Sequence, residues 1–155
     1  MNTARGPGPR LPFGNMRFRL EIDMLAEGGA TEVVFPEARL QPRGRKAGDA
    51  QYGPLIIKRG LTASRDWHGW WDAARRDKRA PRRNVRVMLL DDSGATVAAW
   101  LFGDVVPVSY QLSPLNALGN EAVIETLELS VGSMEAEAAA ESRVGASRQR
   151  GRGAV

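Results

Sequence analysis

The chain has 155 residues, 43% hydrophobic and 26% charged, which is enough to bury one core of ordinary size and excludes disorder of the whole chain. It has no cysteine and a single histidine, His68, which excludes a disulfide framework, a cysteine-ligated zinc and a thiol nucleophile and leaves little for histidine-based chemistry. Net charge is +4, but residues 1–86 hold 18 Lys/Arg against 9 Asp/Glu, residues 87–142 hold 9 acids and no cation, and Arg143, Arg148, Arg150 and Arg152 follow.

Residues 1–14, rich in Gly and Pro with two Arg, read as a flexible arm with no apolar run of the signal-peptide kind. No stretch approaches the roughly 18 apolar residues of a membrane helix. The chain is therefore expected to be made and assembled in the cytoplasm, without membrane insertion of the monomer. MRFRLEID at 16–23 alternates, with Met16, Phe18, Leu20 and Ile22 on one side, as a half-buried strand does. TEVVF at 31–35 is β-prone, and Pro36 behind it confines it to an edge or a bulge. Residues 41–53 carry Pro42, Gly44, Gly48 and Gly53 among Arg43, Arg45 and Lys46 with no apolar period, so a long exposed functional loop is expected.

LIIKR at 55–59 is a short strand closed by Gly60. A helix is expected over 64–78, capped by Ser64 or Thr62, with Asp66 in its first turn, Arg75, Arg76 and Lys78 in its last, and Pro81 beyond. Trp67, Trp70, Trp71 and Ala74 fall at i, i+3, i+4 and i+7 and form its packing face, against the sheet or a neighbouring subunit. Strands at 85–90 and 96–102 flank the turn signal DDSG at 91–94. A further strand at 105–112 contains Pro107, SPLNALGN at 113–120 is a second long loop, and AVIETLELSV at 122–131 closes the domain as a strand. EAEAAAESR, from Glu135, is read as a turn or two of helix opening an Arg-rich flexible tail over 135–155. The folded domain is placed at 15–134. The fold class is mainly β, two packed antiparallel sheets (sandwich or barrel-like) with one helix and flexible tails.

Few constellations carry chemistry. Asp91 and Asp92 are ordinary turn residues before Ser-Gly. Ser64, Asp66, Asp72 and His68 include the residue types of a hydrolase triad, but Ser64 and His68 share one helix and no oxyanion-forming glycine turn lies beside the serine. We assign no catalytic, metal or cofactor-binding residue. The basic run at 75–86, with the Arg-rich tail, supports an alternative reading as a nucleic-acid-binding protein, although no helix-turn-helix, zinc finger or ribonucleoprotein motif accompanies it. The charge split itself fits a basic face beside an acidic one, complementary surfaces on stacked copies, or halves that neutralise each other within the fold.

The order of motifs is more specific than any one of them. A strand ending Ile57-Lys58-Arg59-Gly60 is followed by a helix with Trp67 and Trp71, then Arg82-Arg83 before a strand, then a turn with Asp92 and Gly94. Trp100, Pro107 with Tyr110, and Ile124-Glu125-Thr126-Leu127-Glu128-Leu129 complete it. Over residues 13–134 this resembles the tail-tube protein family of contractile phage tails and extracellular contractile injection systems. The family's Gly-Phe-x-Glu-Val-x-Gly-Leu segment is replaced here by AEGGATEVVFPEARL, and its His-Glu-Gly after the last strand by Ser130-Val131-Gly132-Ser133-Met134.

The resemblance implies a structural, non-enzymatic subunit without cofactors. It would form hexameric rings that stack into a hollow tube, driven through a target envelope by sheath contraction, with sheath, baseplate and tape-measure proteins as partners and no specific nucleic acid. Both the repeating trunk and a baseplate-proximal initiating layer are open to it. In that family the loop matching 41–53 reaches an adjacent ring, which makes Arg39, Arg43, Arg45, Lys46, Asp49 and Tyr52 candidates for the inter-ring contact.

Overall fold

Alternation of apolar and polar side chains needs two facing sheets to bury it, and the computed structural model, which describes residues 11–25, 29–46 and 48–137, shows how they are joined. Among these residues are nine strands and one helix: β1 Phe18–Ile22, β2 Ala30–Val34, β3 Ala38–Leu40, β4 Ala50–Tyr52, β5 Leu55–Gly60, α1 Asp66–Arg76, β6 Arg83–Leu90, β7 Thr96–Leu112, β8 Ile124–Ser130 and β9 Ser133–Glu137. The mainly-β expectation holds. The first sheet runs β1-β6-β7-β9 and the second β7-β8-β5-β2, all antiparallel, with β3 and β4 paired apart from them. No ladder among the described residues joins β1 to β2, so the barrel stays open.

Two expected strands, at 96–102 and 105–112, are a single 17-residue strand that serves both sheets. Its first part pairs with β6 and β9 and its second with β8. The bend is local: Asp104 takes φ 53°, Pro107 sits beside a register shift, and the Gly132 N–H donates to the Gly103 carbonyl at 3.0 Å. A Cβ on Gly132 would lie 2.7 Å from that of Asp104, so the corner requires glycine.

The chain also departs from expectation at its C-terminal side. Residues 135–137 lie in β9, where a helix was expected, with Met134 half-buried against the core and Glu137 hydrogen-bonded to Arg86 at 3.0 and 3.1 Å. An open edge of β7 offers that segment a full ladder, which outweighs the weak preference of a short Ala/Glu run for helix. Residues 1–10 and 138–155, with the rest of both expected tails, lie outside the described residues. Met16, expected inward, is 88% exposed, because β1 begins only at Phe18.

Leu55, Ile57, Val85, Phe102, Leu127 and Leu129 are fully buried between the sheets. Helix α1 closes one side by inserting Trp67 and Trp70, while Trp71 packs half-buried beside them. Each buried Trp contributes roughly 2–3 kcal/mol, so this face is core. The helix is shorter than 64–78 at both ends and lacks the expected side-chain cap: Arg65 occupies the N-cap, and Asp66 Oδ1 instead accepts the Trp67 N–H at 2.9 Å. The Asp91 carboxylate accepts from Ser93 N, Ser93 Oγ and Ala95 N at 2.7–2.9 Å, with Gly94 at φ 87°, which makes 91–95 the expected turn.

Candidate functional site: a projecting arm and the sheet it extends

The segment expected as a loop is a β-hairpin arm. Val34 pairs with Ile56, the Glu37 carbonyl accepts the Gly53 N–H, Ala38 pairs with Tyr52 and Leu40 with Ala50, so one register runs from the second sheet into the arm. Pro36 and Pro54 interrupt the ladder without changing that register. Beyond them the arm reaches about 25 Å at the usual rise per residue. Its tip closes through reciprocal bonds between Arg43 and Lys46, 3.0 and 3.1 Å, around Gly44 at φ 62° and Arg45. The sequence hid this because short strands with three glycines and no alternation leave no period to read.

Arg39, Arg43, Arg45, Lys46 and Asp49 are all exposed. Arg39 pairs with Glu37 at 2.7 Å, whereas Arg43, Arg45 and Lys46 make no ion pair among the described residues. Tyr52, grouped with them from sequence, is half-buried against the core and anchors the base of the arm.

The opposite end of the second sheet carries the turn at 113–121. There Gly60 pairs with Ile124, Ser113 N–H donates to the Ile124 carbonyl at 2.9 Å, and Ser113 Oγ accepts the Ile124 N–H at 2.8 Å. Asn116 holds the turn, its side chain accepting Leu118 N–H and its carbonyl Gly119 N–H, both at 3.0 Å. On the outer face between the two ends Glu32, Lys58, Thr126 and Gln111 stand in one row, with Lys58 and Glu32 ion-paired at 3.0 Å.

The sheet is tied to the helix by a buried polar cluster. Arg59 and Glu125 sit on the inward faces of β5 and β8, 4% and 0% exposed, with Nε to Oε2 at 2.9 Å. Arg59 also binds Asp66 and lies over the Trp67 ring at 4.1 Å, and the Tyr110 hydroxyl donates to Glu125 Oε1 at 2.7 Å. Burial works against each charge, but the hydrogen bonds and mutual attraction prevail: the Arg59 guanidinium is raised and the Asp66 carboxyl lowered from their ordinary values. Burial first, then the bond to Glu125, pushes Tyr110 up to about 12. Alternation from Leu55 and Leu127 already aimed Arg59 and Glu125 inward, a signal that a search for catalytic sets passes over. Asp66 thus binds Arg59 and not His68, which is exposed and meets Tyr110 edge-on at 5.1 Å. No group of His and acids among the described residues could hold a metal ion.

Of the remaining motif residues, several pack within the fold. Trp100 meets Phe35 edge-on at 4.8 Å, Pro107 is buried opposite Leu129, and Ala74 is half-buried on the helix. In the basic run, Arg75 and Arg76 pair with Asp72, Arg83 Nη1 donates to the Asp23 carbonyl at 2.6 Å and Arg86 pairs with Glu137, while Arg82 is exposed. Most of its cations are therefore engaged within the chain, and the nucleic-acid reading is not supported. Arg59–Glu125 and Arg86–Glu137 are the ion pairs joining the basic and acidic halves among the described residues, so the halves neutralise each other only in part.

A family model for the T4-like virus tail tube protein gp19 matches residues 14–135. Curated proteins give no match. Among solved structures, a chain of the PVC sheath/tube terminator of an extracellular contractile injection system superposes with TM-score 0.74 at 13% identity, over 84% of this chain and 100% of that one. A chain of the anti-feeding prophage baseplate gives 0.63 at 22% identity, over 83% and 97%. Hcp1 from Flavobacterium johnsoniae gives 0.58 at 17% identity, over 77% and 93%.

Proposed function

This chain belongs to the T4-like virus tail tube protein gp19 family, and from that premise we propose that it forms six-membered rings which stack into a hollow tube inside a contractile sheath. Its work is mechanical. Contraction of the sheath drives the tube through a target envelope, so the subunit supplies stiffness and interfaces and needs neither a catalytic centre nor a cofactor. Sheath, baseplate and tape-measure proteins are its neighbours in the particle, a phage tail or an injection system assembled in the cytoplasm. Solved structures from sheath–tube, baseplate and tube-terminator assemblies share the fold, which supports this setting.

The observation that carries the stacking step is the arm: a continuation of the second sheet that reaches past the domain with Arg43, Arg45 and Lys46 unpaired among the described residues. The exposed cations at its tip find no acid in their own subunit among the described residues. Its charge is suited to the acids of another copy, since Asp91, Asp92, Asp104, Glu121, Glu128 and Glu135 also form no ion pair among the described residues. Replacing Arg43, Arg45 and Lys46 together by Glu is expected to leave rings intact and to shorten or abolish rods in electron micrographs of the purified chain. Rods of unchanged length would sink the arm's role.

A further inference from the structure

Resting on that stacking reading, we infer that the turn at 113–121 is the seat on which the arm tip of the next copy lands. The two features leave the same sheet at opposite ends. The arm departs where β5 begins, with Leu55 opposite Leu129, and the turn stands where β5 finishes, with Gly60 opposite Ile124. A second copy displaced along the strand direction therefore brings its turn to the first copy's arm. A contact of this head-to-tail kind repeats without closing, as a filament requires.

The chemistry of the two ends is complementary. Leu118 is 98% exposed and Leu115 83%, on a turn that Asn116 holds by two hydrogen bonds, so the apolar side chains are presented by a defined backbone. Neither packs on the core among the described residues. The arm brings Leu40, 61% exposed, as an apolar counterpart. Its residues 38–52 carry four cations and one acid, while residues 113–123 carry Glu121 and no cation. Leucines that close against each other would bring the arm's cations towards Glu121. The occupant is thus a second copy of this chain, bound through its arm.

The absence of native cysteine makes the contact directly readable. Full-length Arg45→Cys and Leu118→Cys variants, mixed in equal amounts and oxidised, should give a mixed disulfide roughly tenfold or more above an Arg45→Cys and Lys78→Cys control pair. An effective concentration near millimolar within a docked pair against micromolar free encounter would favour it by up to about a thousandfold, so a tenfold excess is the threshold for docking. The double variant should form a ladder of covalent multimers on a non-reducing gel, since a disulfide requires the two backbones within about 7 Å. All three positions are exposed, and unchanged circular dichroism verifies each fold. Mixed disulfide at the control level, with rods still visible by microscopy, would overturn the seat and leave the tube reading standing. Control-level disulfide with neither rings nor rods would sink both.

Discussion

At the scale of single residues, the cluster around Arg59 fixes how the helix meets the sheet. Arg59 and Glu125 are almost wholly removed from water, and each satisfies the other only while the partner is present. Glu125→Ala leaves the Tyr110 hydroxyl and one side of the guanidinium without an acceptor, and should cost about 3–5 kcal/mol, as breaking a buried pair usually does. Urea denaturation of the dispersed subunit measures it, and a loss below about 1 kcal/mol, the scale of a surface pair, would show the cluster to be dispensable. Tyr110 adds a pH dependence. Its folded value near 12 lies above the ordinary value of 10, so its contribution is complete below pH 10 and is lost as pH rises from there through 12. Wild-type stability should fall across that window more steeply than that of Tyr110→Phe. Equal slopes would remove Tyr110 from the account. Asp66 behaves oppositely: its lowered value makes its contribution present above the ordinary aspartate range and lost as pH falls through the folded value.

At the scale of elements, the long β7 makes the fold possible and the corner at Gly103–Asp104 makes β7 possible. Ser130 lies opposite Val106 and Ser133 opposite Gly103, so β8 and β9 turn the same corner alongside β7, with Gly132 at the inside of the bend. Gly132→Ala puts a methyl 2.7 Å from the Asp104 Cβ and should destabilise by about 1–3 kcal/mol, the usual cost of overpacking. Asp104→Gly in the same chain removes the clashing atom and relieves the positive φ, so it should recover part of the loss in thermal unfolding. No recovery would mean that the corner is held by something other than this contact. The arm obeys a related rule. Its ladder is the second sheet's own, continued past two prolines, so its direction is set by the sheet and not by its tip.

At the scale of the whole molecule, the basic and acidic halves neutralise each other only in part among the described residues. Two ion pairs join the basic and acidic halves among the described residues, one wholly inside the core. The arm's cations are left exposed, and exposed charges a Debye length from their partners contribute little by themselves. On the proposed stacking, their worth comes when a second copy brings acids close. Reversal of Arg43, Arg45 and Lys46 is for that reason expected to act on rod length and not on subunit stability. The proposed seat at 113–121 would add what charge alone lacks, an apolar contact between copies through Leu115 and Leu118. A tube built this way has a steering term from the arm and a locking term from the leucines.

The sequence by itself determined what short-range physics can encode. Alternation in β1, the strands β5, β6 and β8 beside their turn signals, the Trp face of α1 and the Asp91 turn were legible because burial on one side imposes a period and a turn imposes its residues. The ordered run of motifs from Lys58 to Leu129 was likewise enough to place the family. Tertiary structure alone decided the rest. The arm's hairpin, the union of two strands into β7 and the strand at 133–137 each depend on a partner far away in the chain, and an edge needing a ladder overrides weak local preference. The inward charges of Arg59 and Glu125 lay on legible faces, but only the meeting of β5, β8 and α1 made them partners. Which ends of the sheet carry the arm and the turn is a matter of topology, and no local pattern of residues records it.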